Sequence, residues 1–172
     1  HNSDPDTLLV GGVFHLFYRY TDTSNYLRKK TSEDLVNWSS EKILGGISHD
    51  LLSPTVIYDE HEKKWKLWGV ASGYKVEYYE SEDGLNWAFI DYVDIPQYIH
   101  YNGADRNCWH IDVQKMWLSR KYYAVITYAS GGGGTAPSYL FFGESGDGLH
   151  WTVYDEPILS PVGGTWQSTH IY

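Results

Sequence analysis

Three features of this sequence predict an all-β chain of repeated four-stranded antiparallel blades, a β-propeller. The first is a heptapeptide that occurs three times: Ser32-Glu33-Asp34-Leu35-Val36-Asn37-Trp38, Ser81-Glu82-Asp83-Gly84-Leu85-Asn86-Trp87 and Ser145-Gly146-Asp147-Gly148-Leu149-His150-Trp151. Its tryptophans lie 49 and then 64 residues apart, and self-similarity on that scale marks a repeat architecture. The second is aromatic content: 8 Trp, 16 Tyr and 5 Phe suit β-structure and sugar-stacking surfaces. The third is a succession of short apolar runs punctuated by turn residues. No stretch sustains a 3.6-residue period between caps, so no long helix is expected.

The heptapeptide reads as a turn. Its Asp carboxylate can accept hydrogen bonds from the amides just ahead of it, and Gly relieves a left-handed turn position. The Trp then opens the next strand and packs over the turn. On this reading Asp34, Asp83 and Asp147 are structural residues at blade edges, remote from any pocket.

Unit one, residues 1–48, opens at His1-Asn2-Ser3-Asp4-Pro5-Asp6 and runs into Thr7-Leu8-Leu9-Val10. Gly11-Gly12 turns it back through Val13 to Tyr20, a two-residue hairpin. A third strand spans Tyr26 to Thr31, and a fourth begins at Trp38. Unit two, residues 49–100, repeats the plan with Ser53 to Tyr58, a charged turn from Asp59 to Lys63, Lys64 to Val70, Lys75 to Ser81, and Trp87 to Tyr92. Unit three, residues 101–163, has Ile111 to Trp117, Lys121 to Ala129, Tyr139 to Glu144 and a strand from Trp151. A further unit starts within 164–172. Two segments read as long irregular loops, Asp91 to Cys108 and Ser130 to Pro137, and loops on a rigid scaffold are where binding commonly sits.

Length and composition narrow the partners. A chain of 172 residues is expected to form one partial propeller domain. Lys+Arg 13 against Asp+Glu 22 gives a formal charge of −9. That balance excludes nucleic acid and anionic membrane as expected partners, because phosphate binding needs clustered cations. No apolar run approaches the ~20 residues of a membrane span. Cys108 is the single cysteine, so no intrachain disulfide exists.

A propeller blade runs outward from the central axis, and its first strand lines the channel. Aligned on their apolar continuations, Asp4-Pro5-Asp6 matches Ser53-Pro54-Thr55, His110-Ile111-Asp112 and Ser168-Thr169-His170. Period-2 alternation puts the outer two members of each triplet on one face. If that face is the axis, it carries Asp4, Asp6, Ser53, Thr55, His110, Asp112, Ser168 and His170, all of them polar. A solvent-filled channel would account for this; so would a pocket for acid–base chemistry. Trp109 and Trp166 precede axial residues and would serve either as sugar-stacking platforms or as packing plugs between blades.

Asp4-Pro5, Leu8-Leu9-Val10-Gly11-Gly12, Phe14-His15-Leu16-Phe17-Tyr18, Ser53-Pro54 before Val56-Ile57-Tyr58, and the Ser-x-Asp-x-x-x-Trp blade ends together resemble the five-bladed propeller glycoside hydrolases, a superfamily of arabinanases, β-xylosidases, invertases and levansucrases. The resemblance covers about three of five blades. It implies that Asp4 matches the blade-one Asp that serves there as general base or nucleophile. The blade-two acid of the family would fall at Ser53 or Thr55, and the blade-three Glu at His110. The acid role then passes to His110, oriented by Asp112, or to Asp112 itself with a raised pKa. The heptapeptide also resembles the Asp-box of sialidases, but that box has one more residue between Asp and Gly. Only Arg19, Arg28, Arg106 and Arg120 are present, too few to cluster around a carboxylate substrate.

The expected function is cleavage of glycosidic bonds in a neutral oligo- or polysaccharide. Asp4, His110 and Asp112 are the expected catalytic residues; Asp6, Ser53, Thr55, Trp109, Trp166 and His170 are the expected substrate-binding residues. The alternative is a non-catalytic carbohydrate-binding propeller within a larger cell-surface or viral protein. His1, His49, His110 and His170 fall near blade starts beside Asp4, Asp50 and Asp112, donors that suit an axial Zn²⁺ or Ca²⁺. Their spacing is dispersed and lacks a compact ligand motif, so no resident metal is expected. Three blades and one further strand do not close a ring, and the expected partners are further blades of a longer chain, or a second copy.

Overall fold

A computed structural model describes residues 2–21, 25–48, 51–130 and 137–161. Thirteen strands form three antiparallel sheets among these residues. The first blade holds β1 (Asn2–Val10), β2 (Val13–Thr21), β3 (Asn25–Ser32) and β4 (Lys42–Ile43) in chain order. The second holds β5 (Leu52–Asp59), β6 (Lys64–Val70), β7 (Val76–Ser81) and β8 (Ala88–Tyr92). In the third, β9 (Tyr98–Tyr101) is followed by β10 (Ala104–Lys115), β11 (Tyr122–Ala129), β12 (Ser138–Ser145) and β13 (Trp151–Val153). The single helical feature among the described residues is the short turn Ser72–Tyr74, and no described helix is long and apolar enough to cross a membrane.

The core lies between blades. Phe17, Leu27, Leu51, Val56, Trp65, Leu67, Tyr79 and Trp87 fill the first layer. Trp68, Val70 and Tyr78 meet Cys108, Ile111, Val113, Ile126, Tyr128 and Phe141 in the second. Innermost strand packs on innermost strand, β1 against β5 and β5 against β10, which brings the blade starts together.

The three heptapeptides adopt one turn. Each Ser Oγ donates to the Asp Oδ1, at 3.0, 3.0 and 3.1 Å. Asp Oδ1 accepts from the amides two and three residues on, as at Leu85 and Asn86, both 2.8 Å. Asp Oδ2 is held by Asn37, Asn86 or His150. The fourth residue is left-handed in each copy, with Leu35 at φ 63°, Gly84 at 67° and Gly148 at 83°.

These turns also fasten neighbouring blades. Gly45, leaving blade one, accepts from the Trp87 amide and donates to Leu85 O, both at 2.9 Å. Asp94, leaving blade two, repeats the pattern on Leu149 and Trp151. Lys29 Nζ donates to Gly84 O at 3.3 Å, and Trp68 Nε1 to Gly148 O at 2.8 Å. Glycine is required twice over in the latter turns: a Cβ on Gly84 would meet Lys29 Nζ at 2.7 Å, and one on Gly148 would meet Trp68 at 2.9 Å. One expectation needs correcting, since Asp34 does line a shallow surface depression with Thr31, Ser32 and Asn37.

Elsewhere the strands differ from expectation in three places. The fourth strand of blade one sits at Lys42–Ile43, beyond Trp38, whose indole donates to Leu35 O at 3.2 Å. The stretch Asp91 to Cys108 is not irregular: β9 and the start of β10 form a hairpin there, turning at Asn102 (φ 50°) and Gly103 (φ 73°). Trp117 belongs to an exposed turn and not to β10. The Gly131-Gly132-Gly133-Gly134 run and the further unit at 164–172 lie outside the described residues.

Candidate active site

The innermost strands share a defect at one height. The β1–β2 register slips between Ser3 and Asp6, the β5–β6 register between Leu52 and Thr55, and the β10–β11 register between Cys108 and His110. Bulges of this kind re-aim side chains and recur beside functional sites. Counted from the Ser of each repeated turn, Asp6 (opposite Phe17), Thr55 (opposite Trp68) and Asp112 (opposite Val125) hold equivalent places. Asp4 and Ser53 both sit in their bulges with left-handed backbones, φ 51° and 48°. In β10 the bulge falls one residue earlier than at the equivalent His110, so Trp109 is displaced while His110 stays paired with Thr127.

The bulges surround a cleft of about 910 Å³. Asp4, Asp6, Ser53, Thr55, Trp109, His110 and Asp112 all line it, together with Arg19 and Thr21 of β2. Trp166 and His170 lie outside the described residues, as do His1, His49 and Asp50. Among the described residues no group of three or more His, Cys, Asp or Glu side chains is gathered to hold a metal ion.

Asp6 Oδ2 accepts a hydrogen bond from the Val56 amide of the next blade, at 2.5 Å. Thr55 Oγ1 repeats this one blade on, accepting from the Val113 amide at 3.1 Å, and it lies 3.4 Å from Asp112 Oδ1. Asp4 Oδ2 accepts from Ser3 Oγ at 3.2 Å and pairs with Arg19 Nη1 at 3.8 Å. Ser53 Oγ meets His110 Nδ1 directly.

Burial dominates the electrostatics. It raises the Asp6 pKa from 3.8 to about 6, the Val56 amide opposing it and the negative charge of Asp112 adding to it. Burial also lowers the His110 pKa below its usual 6.5, a shift that the Asp4 carboxylate opposes. His110 is therefore an uncharged imidazole at neutral pH. That bears against its expected role as the acid, whereas Asp6, expected only to bind substrate, keeps its proton up to about pH 6.

Arg19 at the cleft and Tyr74 beside Trp109 carry no site signal in the sequence. Arg19 lies on β2, beside the bulge and opposite Ser3, a position that becomes visible only once the register is fixed. Tyr74 stands in the connection between β6 and β7, its ring 6.3 Å from that of Trp109. The positive φ of Gly73 and Tyr74 leaves no signature in the sequence beyond the glycine.

Comparison with known proteins extends this picture. No protein-family model matches the chain. It is 32% identical over 135 residues to the A type blood N-acetyl-α-D-galactosamine deacetylase of Flavonifractor plautii, covering 72% of this chain and 17% of that relative. The crystal structure of an N-acetylgalactosamine deacetylase from F. plautii, in complex with blood group B trisaccharide, superposes with a TM-score of 0.77 at 23% identity. The match covers 94% of this chain and 54% of that structure. A GH32 β-fructofuranosidase of Bombyx mori gives 0.62 at 19% identity over 88% of this chain and 34% of its own. An exo-inulinase of Aspergillus awamori gives 0.63 at 17%, over 88% and 36%. The chain thus spans about a sixth of the curated relative and about half of the solved deacetylase structure. The chain therefore shares the fold of these propeller structures.

Proposed function

We propose that this chain forms the sugar site of a carbohydrate-processing hydrolase, and that the cleft at the blade starts cleaves a glycosidic bond in a neutral oligo- or polysaccharide. One comparison within the molecule carries the reading. Asp6 and Thr55 hold equivalent places and make the same hydrogen bond to the next blade. A hydroxyl suffices for that bond, yet blade one uses a carboxylate whose pKa is raised to about 6. A carboxyl that keeps its proton up to about pH 6 inside a cleft suits proton donation to a leaving oxygen in mildly acidic solution.

The roles follow from this. Asp6 protonates the glycosidic oxygen, and Asp112 is the neighbouring charge that helps keep Asp6 protonated. Asp4, oriented by Ser3 and Arg19, is the carboxylate that activates water or attacks the sugar. His110, held by Ser53, accepts a hydrogen bond from water or a sugar hydroxyl. The acid role expected of His110 or Asp112 moves to Asp6.

A second reading is favoured by the 32% identity to a relative named as a deacetylase. In it the scissile bond is the amide of an N-acetylated sugar. Water adds to the acetyl carbonyl as its proton passes to His110; Asp6 protonates the departing amine, and acetate leaves. Incubation near pH 6 with neutral glycans, N-acetylated ones included, separates the two when reducing ends and free acetate are measured side by side. Reducing ends without acetate are expected. Acetate alone selects the second reading, and sugar binding with neither product would make the chain a binding module. Neither product and no binding would overturn the proposal.

A further inference from the structure

The two junctions between blades are built alike, and blade three carries half of another. Counted from the Ser of the repeated turn, Val125, Leu140 and Phe142 stand where Trp68, Val76 and Tyr78 stand in blade two. Blade three covers the blade-two residues, which are at most 2% exposed. Their counterparts face away from blade two and are only half-buried. Tyr123 stacks on Phe142 at 5.7 Å, and Phe142 lies 5.9 Å from Tyr154, itself 49% exposed. Val125 and Leu140 also line the cleft, so the cleft runs onto this open face.

Blade one carries the other half. At each internal junction the chain leaving a blade, at Gly45 or Asp94, pairs with the carbonyl of the fifth turn residue and the amide of the seventh. In the first turn these are the Val36 carbonyl and the Trp38 amide, and neither is bonded among the described residues. Val36 is 79% exposed. On blade three the Ile158 amide donates to Leu140 O at 2.8 Å, as Leu44 does to Leu27 O and Val93 to Val76 O, both at 2.9 Å. Leu159 therefore holds the place of Gly45 and Asp94; it meets no turn, and its carbonyl accepts from the Leu140 amide at 3.0 Å.

The contacts along the innermost strands break off at the same point. Asp6 takes the Val56 amide and Thr55 the Val113 amide, in each case one residue past its own counterpart in the next blade. Asp112 is exposed and takes no backbone amide among the described residues; the donor in the matching place on blade one is the amide of exposed Thr7. On the side of blade one turned from blade two, Pro5, Leu16, Tyr18 and Lys30 border a hollow of about 220 Å³. Lys30 there and Asp112 on the open face are opposite in charge.

We propose that the open face of blade three binds blade one of a second copy of this chain, head to tail. The second copy's first turn meets Leu159, its Thr7 amide meets Asp112, and its blade start closes the open side of the cleft. The two copies use different surfaces, so the contact is heterologous and propagates until a ring closes.

Sedimentation velocity on the intact chain tests this, and its mass should rise with concentration. Phe142→Glu on blade three and Leu16→Glu on blade one should each weaken association about 10-fold or more. Mixed one to one, the two variants should form a dimer and stop there, because each supplies the face that the other lacks. Tyr154→Glu, at a more exposed ring, serves in place of Phe142→Glu where the latter lowers the Tm. A parent that stays monomeric at every concentration would overturn the proposal and leave the face to a further blade of a longer chain. A mixture no more associated than either variant alone, with both variants folded, would overturn it equally.

Discussion

Replacing Asp6 with Asn should make the protein more stable at neutral pH, against the usual direction for a half-buried residue with a hydrogen-bond partner. In the folded chain the Asp6 pKa is about 6, against 3.8 for an unhindered Asp. Below pH 3.8 the carboxyl is protonated in both folded and unfolded states, and it costs nothing. As pH rises from 3.8 to 6 the unfolded chain ionises first, so stability falls; above 6 the full cost, about 3 kcal/mol, is present. Asn removes that charge while its Oδ1 still accepts from Val56. The neutral acceptor makes a weaker bond than a carboxylate, so the net gain at pH 7 should be about 1–3 kcal/mol. Urea unfolding of both proteins at several pH values between 3.5 and 7.5 tests this. The curves should converge near pH 3.5 and separate as pH rises, with Asp6→Thr, which copies the Thr55 bond, following Asp6→Asn. A variant less stable than the parent by the same amount at every pH would instead make Asp6 a structural clasp.

Three further outcomes follow from the packing between blades. Gly46→Ala should lower stability by about 3 kcal/mol in urea melts, because Gly46 has φ +80° and an added Cβ would lie 2.0 Å from Trp87 O. Asp83→Ala should cost about 1 kcal/mol through lost turn hydrogen bonds. Those bonds hold the Asp83 carboxyl well below the usual carboxylate range, so the difference between the two proteins should shrink as pH falls below 3.8. Cys108 is completely buried with its thiol pKa pushed up to about 12, so thiol reagents should label it only at the rate of unfolding. Labelling of the native protein at the rate of a free thiol would contradict that placement.

The blade plan was legible because its signals are local. The Ser-x-Asp turn depends on a hydroxyl, a carboxylate and a left-handed fourth residue, all set by spacing within seven residues. The Gly11-Gly12 hairpin is equally local, and both glycines take positive φ. The β9–β10 hairpin carried a signal of the same kind in Asn102-Gly103, a two-residue turn that needs positive φ at both positions. It went unread because the flanking runs, Tyr98 to Tyr101 and Ala104 to Asn107, are short and partly polar. At the site, the triplet alignment located the lining residues of three blades. What the triplets could not reveal was the bulge, which decides that Trp109 is thrown out while His110 stays in the ladder. Burial was hidden too, and burial lowers the His110 pKa and raises that of Asp6. The burial of Asp6 depends on contacts between blades about 50 residues apart in sequence, such as Val56 on Asp6.

The proposed function places sugar chemistry in the cleft at the blade starts, with Asp6 as its proton donor. NMR titration of the carboxyl carbons tests it most directly, on the intact protein with and without a neutral trisaccharide. Asp6 should titrate near pH 6, and the sugar should shift the signals of Asp4, Asp6 and Asp112 while those of Asp34, Asp83 and Asp147 stay still. An Asp6 that titrates near 4, or a sugar that moves the turn aspartates and leaves the cleft carboxyls unchanged, would contradict the claim.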